Sequence, residues 1–146
     1  MNIVAPLPPH RAFLSERPWQ FAFGPVFKPQ GDIVVAGPEL SRDEIGYWRC
    51  DFARGDLLSW TDRVYQLFGA PIGCEIDRSE AIACYREGSR AILERLRSFS
   101  VTNQCGFFLD ARMSAHGTGA RNMRILAAPL LRDGCVVGLH GLKRAI

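Results

Sequence analysis

No stretch of this 146-residue chain is apolar enough for long enough to cross a bilayer. The longest apolar run, Ile125 to Leu131, contains Pro129 and falls far short of the roughly 20 residues a spanning helix needs. No charged-then-apolar leader opens the chain either, because Pro6, Pro8 and Pro9 interrupt it. The five cysteines, Cys50, Cys74, Cys84, Cys105 and Cys135, are odd in number and form no C-x-x-C clip. That excludes a disulfide framework or a zinc ribbon and points to reduced thiols in a cytoplasmic protein. Cys50 and Cys135 lie in apolar, strand-like contexts and are expected to be buried.

Charge of one sign is also scarce. Eighteen basic residues against fifteen acidic ones leave a formal charge of +3, and no basic stripe accompanies it, so nucleic acid is not an expected partner. His and Cys never occur at metal-ligand spacing, and Asp and Glu are scattered, so no metal site is expected. Ser59, His116 and Asp110 contain the residue types of a catalytic triad, but no nucleophile elbow or oxyanion loop accompanies them. The Gly117-x-Gly119 loop lacks the strand-to-helix context and the lysine of a phosphate cradle, and reads as a turn. No catalytic residue is assigned.

What the chain does have is apolar content, 47% hydrophobic and 10% aromatic, enough for one domain with a real core. Residues 1–45 read as an N-terminal arm. They hold seven of the nine prolines and no helical period. Trp19, Phe21 and Phe23 alternate as a short strand, and with Phe27 they form a candidate interaction surface; covering the outer face of the domain's own sheet is the competing role. Residues 46–146 read as the domain. Gly46 to Asp51 alternates as a strand, Ala53-Arg54-Gly55-Asp56 supplies a turn, and Leu57 to Trp60 returns. Thr61 caps a short helix whose Val64, Leu67 and Phe68 share a face, and Gly69 stops it. Asp77 and Glu80 resemble a capping box for a helical segment running to about Ser98, with a break expected near Gly88. Ile82, Tyr85, Ser89, Ile92, Leu96 and Phe99 share its inner face, and Arg90 and Glu94 are placed as an outer pair. Val101 to Met113 and Arg121 to Leu131 read as strands. Asp133-Gly134 is a hairpin turn leading to a final strand, Cys135 to Lys143.

This order resembles a PAS domain. The residues that carry the resemblance are Gly46, Trp48, Asp51, Trp60, Thr61, Leu67, Phe68 and Gly69 at one end and Pro129, Asp133, Gly134, Gly138 and Gly141 at the other. The chain departs from that family at Ala83 to Gly88, where a His-Pro-x-Asp-Arg-like stretch is usual, and at Ala145-Ile146, where the usual Asp-Ile-Thr joint is cut short. The resemblance implies an α+β fold: a five-stranded antiparallel sheet with short helices and one longer helix packed on one face. It implies a non-catalytic signal-transduction module acting through protein–protein contact. Its partner would be a sensor histidine kinase or another PAS domain, its state a homodimer, and, if this sequence is the whole protein, it would carry no output module of its own. The alternative it implies is a sensor holding a small ligand in the domain's cavity, with Trp48, Tyr65 and Phe108 as candidate wall residues. No cofactor is expected. The three histidines, His10, His116 and His140, fall outside the helical segment that supplies a haem ligand in such relatives. Asn103 to Leu109 is faintly similar to a flavin-photoreceptor core but follows the long helix instead of preceding it. A small α+β isomerase or hydrolase is a third expectation, disfavoured by the opening hairpin.

Overall fold

The computed structural model describes residues 44–114 and 120–146 in full, and the backbone of residues 19–21, 24–27, 115 and 119. Its elements, in chain order, are β1 (Trp19–Phe21), β2 (Gly24–Phe27), β3 (Gly46–Asp51), β4 (Leu57–Trp60), α1 (Asp62–Phe68), α2 (Arg78–Ala83), α3 (Glu87–Asn103), β5 (Gly106–Ala115), β6 (Gly119–Arg132) and β7 (Cys135–Ala145). Among the described residues one sheet has the order β1-β2-β5-β6-β7-β3-β4, and every pairing is antiparallel. Strands β3 to β7 are the five-stranded sheet expected from the sequence. The opening and closing strands lie side by side, with Trp48 opposite Gly141 and Asp51 opposite Gly138. The arm adds a hairpin to the β5 edge, where Val26 pairs with Phe107. Trp19 and Phe21 lie in β1 and Phe27 in β2, whereas Phe23 lies outside the described residues.

Alternation sorts the sheet into two faces. Trp48, Cys50, Phe107, Leu109, Ala111, Met113, Met123, Ile125, Ala127 and Leu139 are buried on the face that meets the helices. Leu126, Ala128, His140 and Leu142 are buried on the opposite face. From α1 come Val64, Leu67 and Phe68, all inaccessible to solvent or nearly so. Helix α3 is 17 residues long, about 25 Å at 1.5 Å per residue, and Leu96 is its fully buried apolar side chain.

Glycines mark where two backbones approach. A Cβ on Gly141 would meet the carbonyl of Leu126, one on Gly138 the carbonyl of Cys50, and one on Gly46 the side chain of Val64, each under 3.0 Å. The G-x-x-G spacing is therefore a packing requirement of the central strand, since rigid backbone on both sides cannot yield. Pro129 fits β6 because its pairing to β5 ends at Ala127; the N–H it lacks is not needed there.

Several local expectations need correction. Thr61 does occupy the cap position of α1 but makes no capping hydrogen bond; its Oγ1 accepts from the backbone N–H of Tyr47 at 2.9 Å, tying the helix start to β3. Asp77 likewise caps α2 by position only. The helical segment breaks at Cys84–Arg86, ahead of Gly88, because this stretch pairs with β5: Ser114 N–H donates to Cys84 O at 2.8 Å and Arg86 N–H to Arg112 O at 2.9 Å. Tyr85 is thus a bridge residue opposite Met113 and not part of a helical stripe. Glu94 pairs with Arg78 rather than Arg90, and Arg90 donates to the carbonyl of Tyr85. Helix α3 runs to Asn103, so β5 starts at Gly106 instead of Val101. Gln104, in the left-handed region at φ 52°, ends it and donates to Gly134 O at 2.8 Å. Cys135 is exposed, against expectation. It opens β7 directly after the exposed turn Arg132-Asp133-Gly134, whereas Cys50 is buried as expected and so is Cys105 at the entrance to β5.

Candidate functional site

Between the inner sheet face and the helices lies a cavity that admits water-sized spheres over about 60 Å³. Its floor is Trp48, Cys50, Phe107, Ile125, Leu139 and Lys143, and its roof Ala81, Ile82, Tyr85 and Leu93. Arg78, Arg97, Leu58 and Trp60, all half-buried, complete it towards solvent. Three cationic side chains line this space and no carboxylate does.

Lys143 is the unusual member. It stands on the inner face of β7, between Gly46 of β3 and Ile125 of β6, and only 8% of it is exposed. Its Nζ lies 4.8 Å from the ring centre of Phe68, 5.2 Å from Trp48, 5.6 Å from Tyr85 and 5.9 Å from Trp60. Trp48 and Trp60 from the opening hairpin, Phe68 from α1 and Tyr85 after α2 thus supply an aromatic cage. The cage is itself braced: Trp60 stacks on Phe68 at 4.6 Å, and Phe68 meets the edge of Tyr85 at 5.9 Å. Among the described residues no carboxylate pairs with Lys143. Burial accordingly lowers its pKa from 10.5 to about 7; the thiols of Cys50 and Cys84 pull upward and Arg78 adds to the fall. Ring faces attract the charged form but accept no hydrogen bond of ordinary strength.

The neighbouring polar groups are donors with little to donate to. Trp60 Nε1 is buried without a partner. Tyr85 Oη reaches only the sulfur of Met123, at 3.9 Å, a weak acceptor, and burial raises the phenol's pKa so that it stays protonated. The two guanidinium groups are committed elsewhere. Arg78 pairs with Glu94; Arg97 pairs with Asp56 at 3.3 Å and lies over Phe52 at 4.9 Å. Burial also raises Cys50 and Cys84, which keeps both as neutral thiols.

No protein-family model matches the chain, and no curated protein matches it. Solved structures do. The N-terminal domain of a diguanylate cyclase with a PAS/PAC sensor from Marinobacter aquaeolei superposes with a TM-score of 0.61 at 14% identity, over 69% of this chain and 94% of that one. A domain of a putative light and redox sensing histidine kinase from Haloarcula marismortui gives 0.61 at 15% identity, over 70% and 89%. The fold is that of a PAS domain. An RNA-binding light-oxygen-voltage receptor gives 0.60 at 13% identity, over 70% of this chain but only 29% of that longer one.

Within the PAS fold the sequence-derived candidates are dispersed. Trp48 lines the cavity. Tyr65 packs edge-on against Trp60 at 5.2 Å and donates to Cys74 O at 3.0 Å, one layer behind the lining. Phe108 follows Phe107 in β5 and so faces the opposite side of the sheet. Ser59 and Asp110 sit on β4 and β5, with β7, β6 and β3 between them, about 19 Å at 4.8 Å per strand, and Asp110 is held by Arg124 at 2.7 and 2.8 Å. His116 and His10 lie outside the described residues, and His140 is buried and engaged by its neighbours. Cys105 is hydrogen-bonded to the end of α3 through Ser100 and does not line the cavity. Among the described residues no cluster of His, Cys, Asp and Glu could hold a metal, and no helix is long and apolar enough to cross a membrane.

Lys143 was the site residue that motif reasoning passed over. A signal for it exists in the composition. Sixteen of the eighteen basic residues are arginine, and Lys28 and Lys143 are the two lysines. Arginine stays charged when buried, whereas lysine can lose its proton. A lysine on the closing strand of an arginine-rich chain, in register with apolar Leu139 and Gly141, is the place to look for a cation whose charge is adjustable.

Proposed function

We propose that this chain is a non-catalytic sensory module of PAS fold that holds a small ligand in the cavity and passes its occupancy to a signalling partner. The observation that carries this reading is the pair of unspent donors around the cavity, the caged Lys143 ammonium and the Trp60 indole N–H, beside a Tyr85 hydroxyl whose acceptor is a sulfur. Buried polar groups are ordinarily satisfied. Leaving two of them around one void costs stability that a bound ligand would return.

The route outward runs through the sheet. Lys143 lies on β7 and Phe107 of the cavity floor on β5, and Phe107 pairs with Val26 of the arm hairpin. A ligand that favours one position of β5 shifts the docking of that hairpin, which is differential binding to two arrangements of one sheet. The fold's occurrence in a histidine kinase and in a diguanylate cyclase supports a kinase, or another PAS domain, as the partner, and a homodimer built through the arm and the outer sheet face as the working state. A pure interaction module, whose cavity stays empty, is the second reading. It is favoured by the hairpin's addition to the β5 edge.

Native mass spectrometry of the purified protein after exposure to a mixture of small metabolites tests the first reading, with hydrogen exchange at Val26 and Phe107 measured for each retained compound. Retention of a small molecule together with altered protection at β2 is expected. No retained molecule, and β2 protection that never changes, would leave only the interaction module. A pull-down with residues 1–40 deleted tests the arm; undiminished partner capture removes it from the mechanism.

A further inference from the structure

We infer that the cavity takes a small monocarboxylate of two or three carbons, held by an ion pair from Lys143 and a hydrogen bond from the Trp60 indole N–H. This inference rests on the ligand-holding reading of the cavity and adds the ligand's chemical class.

Four observations converge on it. The first is sign. Arg78, Arg97 and Lys143 line the cavity with no acid among the lining residues, so the space is short of negative charge. The second is pairing. Each guanidinium has its own carboxylate, Glu94 and Asp56 respectively, whereas the ammonium has none, so one cation is left for the ligand. The third is hydrogen bonding. Trp60 Nε1 is buried without an acceptor, and Trp60 is one of the four rings around Nζ. A carboxylate offers two oxygens, one for the ammonium and one for a second donor. The fourth is size. About 60 Å³ is roughly twice the share of one water, about 30 Å³, and well under the roughly 150 Å³ that admits benzene. That leaves room for a methyl or ethyl group against Leu139, Ile125 and Phe107; a longer chain would have to leave past Arg78 and Arg97 towards solvent.

Binding and protonation are then linked. The groups facing Nζ are the Cys50 thiol from β3, the Cys84 thiol and Tyr85 phenol from the link after α2, and Arg78 from α2. Both thiols and the phenol are kept neutral by burial, so no internal anion competes. A bound carboxylate stabilises the ammonium and raises its titration midpoint. By the same linkage the carboxylate binds the protonated protein more tightly. Affinity therefore falls as pH rises above the free protein's midpoint, by about tenfold per pH unit where proton uptake accompanies binding.

The test uses the full chain with ¹³C-labelled lysine, which has two side-chain signals, Lys28 and Lys143, the latter assigned by its loss in Lys143→Met. Sodium acetate and neutral acetamide, nearly isosteric, are titrated between pH 6 and 9. The inference expects saturable acetate binding, an upward move of the Lys143 midpoint, weakening of acetate with rising pH, and acetamide at least tenfold weaker. In Lys143→Met acetate binding is lost, while the fold is retained by its amide spectrum. An acetate-independent Lys143 midpoint overturns the inference. So does acetate binding that survives Lys143→Met. If acetamide or propanol saturates the site and acetate does not, the anion is wrong while the ligand-holding cavity stands. If none of the three binds, the carboxylate is rejected, and the metabolite screen above then decides the broader reading by itself.

Discussion

Replacing Lys143 by Met should make the protein more stable near neutral pH, and the gain should disappear in alkali. Met has a similar unbranched shape and keeps the contacts with Phe68, Trp48, Tyr85 and Trp60 without a charge to desolvate. The folded-state pKa of Lys143 is lowered from 10.5 to about 7, a shift of three to four units, or about 5 kcal/mol at 1.36 kcal/mol per unit. Four ring faces within 6 Å of Nζ attract the charged form and make that figure an upper bound. The gain in Lys143→Met at pH 6 is then at most about 5 kcal/mol, the same amount that the linkage returns as the pH rises. Between pH 7 and 10.5 the unfolded chain holds the lysine proton that the folded protein has released. Wild-type stability from this group therefore rises with pH through that window, and the variant, which lacks the group, closes with the wild type. Urea unfolding of both proteins in steps from pH 6 to 10.5 measures the difference directly, and titrations common to both cancel in it. A variant less stable than wild type at pH 6.5, or a stability gap constant across the window, refutes the reasoning. Either result would mean that Nζ is solvated or paired in solution.

Three other outcomes are expected. Gly141→Ala should destabilise by about 3 kcal/mol or more, because its Cβ would meet the Leu126 carbonyl and central-strand backbone cannot relax; Gly134→Ala, strained only by its φ of 79°, should cost about 1 kcal/mol, both read from urea midpoints. Tyr85→Phe should change stability by less than about 1 kcal/mol, since the hydroxyl it deletes has only a sulfur acceptor, whereas Tyr85→Ala should cost about 3–5 kcal/mol by opening a void beside Phe68. Iodoacetamide should alkylate exposed Cys135 well before buried Cys50 and Cys105, followed by peptide mass spectrometry; equal rates would mean that the core opens as a unit.

Local pattern and turn chemistry were enough to specify most of the architecture. Alternation in Gly46 to Asp51, the Gly55 and Asp133-Gly134 turns, the Gly69 stop and the order of strands about a helical insert all operate over a few residues, so their physics can be read along the chain. The G-x-x-G spacing belongs with them, although its reason, backbone carbonyls of Leu126 and Cys50 pressed against β7, shows only in three dimensions. Helix ends were legible by position and not by partner: Thr61 and Asp77 cap their helices without side-chain bonds because their oxygens find other neighbours. The break at Tyr85 could not be read locally either, since it is made by hydrogen bonds to Arg112 and Ser114, some 28 residues away, a long-range term that overrides helical periodicity. The cavity is the extreme case. Its cage joins Trp48, Trp60, Phe68, Tyr85 and Lys143, residues whose individual neighbourhoods look like ordinary core. Only the pairing of β7 between β3 and β6 carries the lysine under those rings, and desolvation, which depends on everything within several ångströms and on nothing in the adjacent sequence, then makes its charge negotiable.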